Sequence, residues 1–480
     1  MTAEVLRQVP TGAERIVPMA RRDRLVRGQV IVGVVGPIVA PDAVNLVDAL
    51  RQRLGDGRDP RLGFGFAEDG KNWSINHHEP AEWCAEMVVS IPPETPEAIL
   101  AIAARQIWRV DTEHPVRFVL CGDYVIQVAD QALGDGVEFL RRMSDVLALA
   151  TGSAAATSRN GMLPNATSPV PARRPAARRT AALRGSALRT AARRSSSLRS
   201  DGELRFPLLT VLCASASTPR RGTTERTQSP SSAERLSPAA RPAPAVPRPR
   251  SREKTLWHPD VVVAAASAPR TAITRLRDWA RDRREPATFS AVLSALLHRA
   301  FARTGVPLAS DVAVVVNLRR YLDPERGDVA GNFFSTLRLR VSDPRDPEQV
   351  SRAIRSAVNS TRPARALLAT VIGRELFGPQ ERFPREISAE PRARLVVNNL
   401  GDSRALDSLD WKAPPEGRLC ACLIRPERAE DIVLVVLGLA DALHVSASFH
   451  GTTFAQEQVQ RALELALRDP LGVLDDGSGA

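Results

Sequence analysis

The chain has 480 residues, enough for two cores of common size, with 43% apolar residues and a formal net charge of +12. That charge is local: residues 159–254 carry 20 basic and 5 acidic side chains, and the remainder carries 46 basic and 49 acidic. The foldable part is therefore near neutral, and the basic balance does not make nucleic acid an expected partner. The longest apolar run, near residues 30–40, is broken by Gly33, Gly36 and Pro37, which excludes a membrane span there. Residues 1–27 are charged and lack the apolar centre of a signal peptide. Five scattered cysteines (Cys84, Cys121, Cys213, Cys420 and Cys422) have no metal-ligand spacing beyond a lone Cys-Ala-Cys. They read as reduced thiols of a cytoplasmic protein with no metal site.

In chain order, residues 1–27 are expected to enter the fold as a strand or helix after a flexible start. A β-branched run at 29–35 predicts a strand, and Val44, Leu46, Val47, Leu50 and Leu54 give 41–54 one apolar helical face. Residues 61–66 read as a short strand. His77 and His78, in His-His-Glu-Pro-Ala-Glu-Trp, read as loop histidines. A strand at 87–91 and a helix at 96–108 follow.

The densest signal comes next. Two apolar runs, 118–121 and 124–128, flank Gly122-Asp123 and predict a hairpin. From Gly136 the apolar residues Val137, Leu140, Met143, Val146 and Leu147 recur at helical spacing, with Asp135 at the N-cap position and Gly136 giving backbone freedom. Between hairpin and helix lies Ala-Asp-Gln-Ala-Leu-Gly-Asp-Gly, 129–136.

From 151 to 252 the periodicity fails and Ala, Arg, Ser and Pro dominate, with only 206–213 able to pair as a strand. Arg174, Arg179, Arg184, Arg189, Arg194 and Arg199 recur every five residues, which spreads them around a helix instead of forming one face. Disorder is expected, as a tether between lobes, a nonspecific polyanion contact, or a GC-rich stretch read out of frame. Order returns with a strand at 261–266 and helices at 271–282 and 288–303, where His298 reads as a packing or surface residue. Strands follow at 311–318 and 329–341, then at 394–403, then as a hairpin at 431–439 and 443–449. A helix at 454–467 closes the chain.

The strand, Asp-Gly loop and helix at 124–150 resemble the active-site segment of the chloramphenicol-acetyltransferase-like superfamily, which includes condensation domains of nonribosomal peptide synthetases, wax-ester synthases and polyketide-associated acyltransferases. Its motif reads His-His-x-x-x-Asp-Gly. Asp135 and Gly136 match the last two positions, and Asp130 and Gln131 stand where the two His belong. Val-Val-Val-Asn-Leu-Arg-Arg (314–320) followed by Gly-Asn-Phe-Phe-Ser-Thr (331–336), and Asn398-Asn399-Leu400-Gly401, look like second-lobe signatures of the same superfamily. The resemblance covers about residues 28–152 and 255–470.

What it implies is an α/β fold of two lobes, each a mixed β-sheet flanked by helices, around a central channel. The lobes would be 1–152 and 255–480, separated by an insertion at 153–254. It implies a free-standing, monomeric acyltransferase using acyl-CoA or a phosphopantetheine-linked acyl thioester (CoA or an acyl carrier protein as donor), an alcohol or amine as acceptor, and no bound cofactor. Catalysis would fall to Gln131, Asp130 and Asp135, with Gly136 and Arg319 supporting the loop and Arg319 pairing with Asp135. Asn332, Ser335, Asn398, Asn399 and Gly401 would line the channel. An amide cannot take a proton near neutral pH, so three readings stay open: acyl transfer with Asp130 in place of His, heterocyclisation through Asp130 and Asp135 with Glu138 replacing a usual Ser, and an inactive binding or scaffold protein.

Overall fold

In the computed structural model the described residues are 15–57, 59–75, 80–108, 113–152, 254–283, 285–322, 331–377 and 384–475. His77, His78, Cys213, the regularly spaced arginines and the strand expected at 206–213 lie outside them.

The first half runs β1 (Arg15–Pro18), α1 (Arg21–Val26), β2 (Val30–Gly36), α2 (Ala43–Gly55), β3 (Phe64–Phe66), β4 (Asn72–Ile75), α3 (Pro80–Glu86), β5 (Val88–Ile91), α4 (Pro96–Gln106), β6 (Val116–Cys121), β7 (Tyr124–Asp130) and α5 (Gly136–Ala150). β2 is β-branched and buried along its whole length because both of its faces are covered. Ile31 and Val35 join a core with Phe139, Leu140, Met143 and Leu147 of α5, while Val30, Val32 and Val34 meet Ile99 and Ala103 of α4. β6 and β7 form the expected hairpin, with Gly122 at φ +57 making the turn. The strand expected at 61–66 is corrected: Pro60–Gly63 is a 3-10 turn, with Pro60 fixing its start and Leu62 N–H donating to Asp59 O, and only Phe64–Phe66 is extended. It pairs with β4, which pairs with β1, in a small sheet.

The second half runs β8 (Lys254–Leu256), β9 (Val261–Pro269), α6 (Arg270–Arg281), α7 (Phe289–Arg303), β10 (Asp311–Asn317), β11 (Phe334–Arg340), α8 (Pro347–Asn359), α9 (Arg362–Phe377), β12 (Glu386–Ser388), β13 (Arg394–Asp402), α10 (Arg404–Asp407), β14 (Leu419–Ile424), β15 (Asp431–Gly438), β16 (Ala442–His450), α11 (Gln456–Arg468) and α12 (Pro470–Asp475). Its main sheet has the order β11-β10-β13-β15-β16-β9, with parallel pairs on both sides of β13 and antiparallel pairs elsewhere. Leu395, Val397, Leu434 and Val436 pack against α7 and α11, where Leu297, Phe301 and Leu463 fill one core. Thr288 caps α7 by accepting from Ala291 N–H. His298 on α7 is buried and bonded through Nδ1 to Ser294 O at 2.7 Å, a packing residue.

The lobes are joined in two ways. The opposite face of the second sheet, Val396, Val433, Val435 and Leu437, belongs to the same core as α5 and β2. β14 also leaves the second half and pairs antiparallel with β2, giving the first sheet the order β14-β2-β7-β6-β5. That exchange would leave the outer edge of β14 unpaired. Ser446 Oγ accepts from Cys422 N–H at 3.2 Å and donates to Cys422 O at 2.7 Å, and Ser448 Oγ does the same for Ile424 at 3.3 and 2.7 Å. Two hydroxyls thus stand in for a neighbouring strand.

Candidate functional site

The loop between β7 and α5 sits at the seam between lobes. β7 ends at Asp130, Gln131–Leu133 forms a 3-10 turn, and Asp135 caps α5 by accepting from Glu138 N–H at 3.3 Å. Gly136 does not adopt a left-handed φ, so the backbone freedom expected of it is not used; a Cβ there would come 2.8 Å from Leu400 Cδ2 of the other lobe, a side chain that would have to shift.

The structure brings Asp135 and Arg319 together. The guanidinium lies at the 3-10 turn after β10 and donates to Asp135 Oδ2, and Arg319 Nη2 donates to Gly331 O at 3.1 Å. Phe333 N–H also donates to Asp135 Oδ2, at 3.3 Å. The carboxylate therefore serves the helix of one lobe and the strand of the other. Charge-assisted hydrogen bonds of this kind, largely out of water, fix geometry as well as energy.

A second set of contacts holds the loop's carbonyls. Asn332 Nδ2 donates to Gln131 O at 2.6 Å and to Asp23 Oδ1 at 3.1 Å, and Asn332 N–H donates to the same Asp23 oxygen at 3.1 Å. Arg61 Nη1 donates to Leu133 O at 3.0 Å while its Nη2 lies 3.5 Å from Asp23 Oδ2. Arg22 sits 4.3 Å from the centroid of the Phe333 ring, and Arg319 5.1 Å from it. Asp23, Arg22, Arg61 and Phe333 were not legible as site residues. Asp23 and Asn332 are 309 positions apart, and nothing local in the sequence marks such a contact.

Asp130 is buried, with Oδ2 accepting from Gly28 N–H at 2.7 Å and Oδ1 from Ala132 N–H at 2.8 Å. Burial pushes its pKa up to about 6, against the two N–H donors and the nearby charges of Arg27 and Arg425, which favour the carboxylate. Among the described residues Asp130 and Asp135 share no hydrogen-bond partner. Gln131 is buried next to Asp130. Of the other anticipated lining residues, Asn332, Ser335 and Asn398 are buried, whereas Asn399 spends its amide on Ser290 Oγ (3.1 Å) and on Gly401 N–H (3.0 Å), where β13 bulges.

Cys84, Cys121, Cys420 and Cys422 are free and buried, and burial raises the pKa of each thiol. Among the described residues no group of His, Cys, Asp and Glu could hold a metal ion, and no helix is long and apolar enough to cross a membrane.

No family model and no curated sequence matches the chain. Solved structures do. It is similar to a trichothecene 15-O-acetyltransferase from Fusarium sporotrichioides, with a TM-score of 0.55, 9% identity and coverage of 95% of this chain and 97% of that one. It is also similar to a nonribosomal peptide synthetase cyclization-docking bidomain from Sorangium cellulosum (TM-score 0.53, 13% identity, 96% of this chain and 85% of that one). The first condensation domain of the calcium-dependent antibiotic synthetase gives 0.50, with 14% identity and 97% of each chain covered. At such identities it is the architecture alone that is shared, the two-lobed chloramphenicol-acetyltransferase-like fold.

Proposed function

We propose that the chain is a condensation-type acyltransferase that moves an acyl group from a CoA or carrier-protein thioester to an alcohol or amine, in natural-product or lipid biosynthesis. One observation carries the reading: at the lobe seam, beside the Asp-Gly loop held by Arg319, Asp130 is a buried carboxylate whose pKa burial pushes up to about 6. A base near the working pH is what this chemistry needs. The acceptor's lone pair attacks the thioester carbonyl, its proton passes to Asp130, and the C–S bond breaks to release thiolate, which recovers the proton. Gln131 orients the acceptor, since an amide binds but does not carry the proton. Holding both reactants at the seam supplies proximity and orientation.

A second reading has its own observation. Both oxygens of Asp130 already accept a main-chain N–H, as a purely structural cap would, which favours a scaffold that kept the fold without the chemistry. The two separate in one experiment. Purified full chain is given a panel of acyl-CoA thioesters and a mixed pool of alcohols and amines, and thiol release is followed with and without acceptor. Acceptor-dependent release is expected, reduced by about 10²–10⁴-fold in Asp130→Asn with the melting transition intact, and raised by Gln131→His. No release across the panel, nor from an acyl thioester on a carrier protein, refutes acyl transfer, and undiminished release in Asp130→Asn refutes the role of Asp130.

A further inference from the structure

The Asp130 carboxylate is held by a turn, and the turn is held by the other half of the chain. Arg27 and Gly28 are the central residues of that turn, which links α1 to β2 and is closed by Gln29 N–H donating to Val26 O at 2.9 Å. Gly28 sits at φ +77, in the left-handed region, and its N–H donates to Asp130 Oδ2 at 2.7 Å. Arg425, the first residue after β14, donates from Nη2 to Gly28 O at 2.8 Å. The same connection between β14 and β15 takes hold again one residue further on. Gln29 Nε2 donates to Glu427 Oε1 at 3.1 Å, and Gln29 O accepts from Gln131 N–H at 2.7 Å.

That connection is itself anchored. Arg428 N–H donates to Asp431 Oδ2 at 3.1 Å, and Asp431 is ion-paired with Arg394 on the neighbouring β13. The guanidinium carbon of Arg425 lies 5.6 Å from the centre of the Trp108 ring. Two cations act on the Asp130 carboxyl, Arg27 from the turn and Arg425 from the connection. Arg27 is stacked 4.7 Å from the centre of the Phe66 ring, within its own half. Glu427, of opposite sign, is engaged by Gln29. The segment before β6 meets Asp130 through main chain, Pro115 O accepting from Asp130 N–H at 2.8 Å, while His114 turns to Glu86 at 2.9 Å.

We infer that Arg425 is a positioning residue for Asp130: reaching across from the second half of the chain, it holds Gly28 against the carboxyl and keeps that carboxyl ionised, the form that accepts a proton. Its consequence for catalysis rests on the acyl-transfer reading. Burial favours the protonated acid, whereas a nearby guanidinium and a fixed N–H donor favour the carboxylate. Taking Arg425 away removes the charge and releases the Gly28 carbonyl, so protonation gains on both counts.

The test is a carboxyl-carbon NMR titration of the full chain carrying isotope-labelled aspartate, the Asp130 signal being identified by its loss in Asp130→Asn. The midpoint is expected at about 6 in the parent. In Arg425→Met, which loses both charge and donors, it should rise by about half a pH unit or more. Arg425→Gln keeps a donor without the charge and should also rise, while Arg425→Lys keeps the charge and should stay within about 0.2 of the parent. A contact that only braces the fold would lower the melting transition without separating Lys from Gln. Midpoints in Arg425→Met and Arg425→Gln equal to the parent's, or one in Arg425→Lys that moves as far as theirs, overturn the inference. Where thiol is released, the acid limb of the kcat/KM profile should move upward with the midpoint. The titration needs no turnover, so the two ideas fail separately. A moved midpoint without thiol release from any thioester sinks the acyl-transfer proposal and leaves the hold of Arg425 on Asp130 standing, while thiol release with an unmoved midpoint sinks only that hold.

Discussion

Breaking the Asp135–Arg319 clamp tests whether the seam is held by charge. The Asp135 side chain is 7% exposed and that of Arg319 15%, so solvent screens the pair little. Asp135→Ala removes an N-cap, at a cost of about 1 kcal/mol, and strands a largely buried guanidinium, at about 3 kcal/mol. Its expected total is therefore about 4 kcal/mol. Arg319→Ala leaves a carboxylate that still accepts from Glu138 and Phe333 N–H, and should cost about 3 kcal/mol. The double variant strands neither charge, so its loss should reach only about 5 kcal/mol, a coupling of about 2 kcal/mol. Asp135→Asn is the control that retains a cap acceptor while removing the charge, and should cost about 1 kcal/mol less than Asp135→Ala. Urea unfolding of the four variants and the parent, compared at constant m-value, reads these numbers directly. Losses that add to within about 0.5 kcal/mol would refute the reasoning, since groups that do not interact add.

Two further outcomes concern the seam at β14 and β16. Ser446→Ala and Ser448→Ala each leave a main-chain N–H and C=O of β14 without a partner, and each should destabilise by about 1–3 kcal/mol in the same urea assay; losses near zero would mean that water reaches that edge. Burial lowers the His444 pKa from 6.5 to about 4, so the unfolded chain binds the proton first as pH falls. The stability conferred by a neutral His444 is thus complete above pH 6.5 and lost as pH drops through 4, up to about 3 kcal/mol. His444→Gln should flatten that part of the pH profile. Asp130 acts with the opposite sign: its raised pKa favours the fold below about 3.8 and that contribution is lost as pH rises through about 6. Asp130→Asn should remove that opposing slope.

How much of this was legible follows from the range of each interaction. The hairpin of β6 and β7 and the helix α5 are set by neighbours in sequence, through Gly122-Asp123 and a three- and four-residue apolar spacing, and both stand where the sequence put them. α8 carried a signal that went unread, an Asp346 cap followed by apolar positions at Val350, Ile354 and Val358. β14 differs. Leu-Cys-Ala-Cys-Leu-Ile went unread as a strand, and the hydroxyls at 446 and 448 that satisfy its outer edge look in sequence like polar breaks in an apolar run. At the site, Asp130, Gln131, Asp135 and Arg319 could be placed by resemblance to a motif. The contacts through Asp23, Arg61 and Phe333 could not, since they depend on folding distant segments onto the loop.

The crossing of β14 makes the two halves of the chain a woven pair, and covalent continuity across residues 153–253 is not what keeps them associated. To pull the lobes apart is either to strip the edge strand β14 from β2 or to lift both serine pegs from its other side. Sliding of one lobe along the other is blocked by the same pegs, whose two-residue spacing sets a register as teeth do in a rack. Any widening of the seam to admit a substrate must also strain the Asp135–Arg319 clamp, which joins the two halves at a second place.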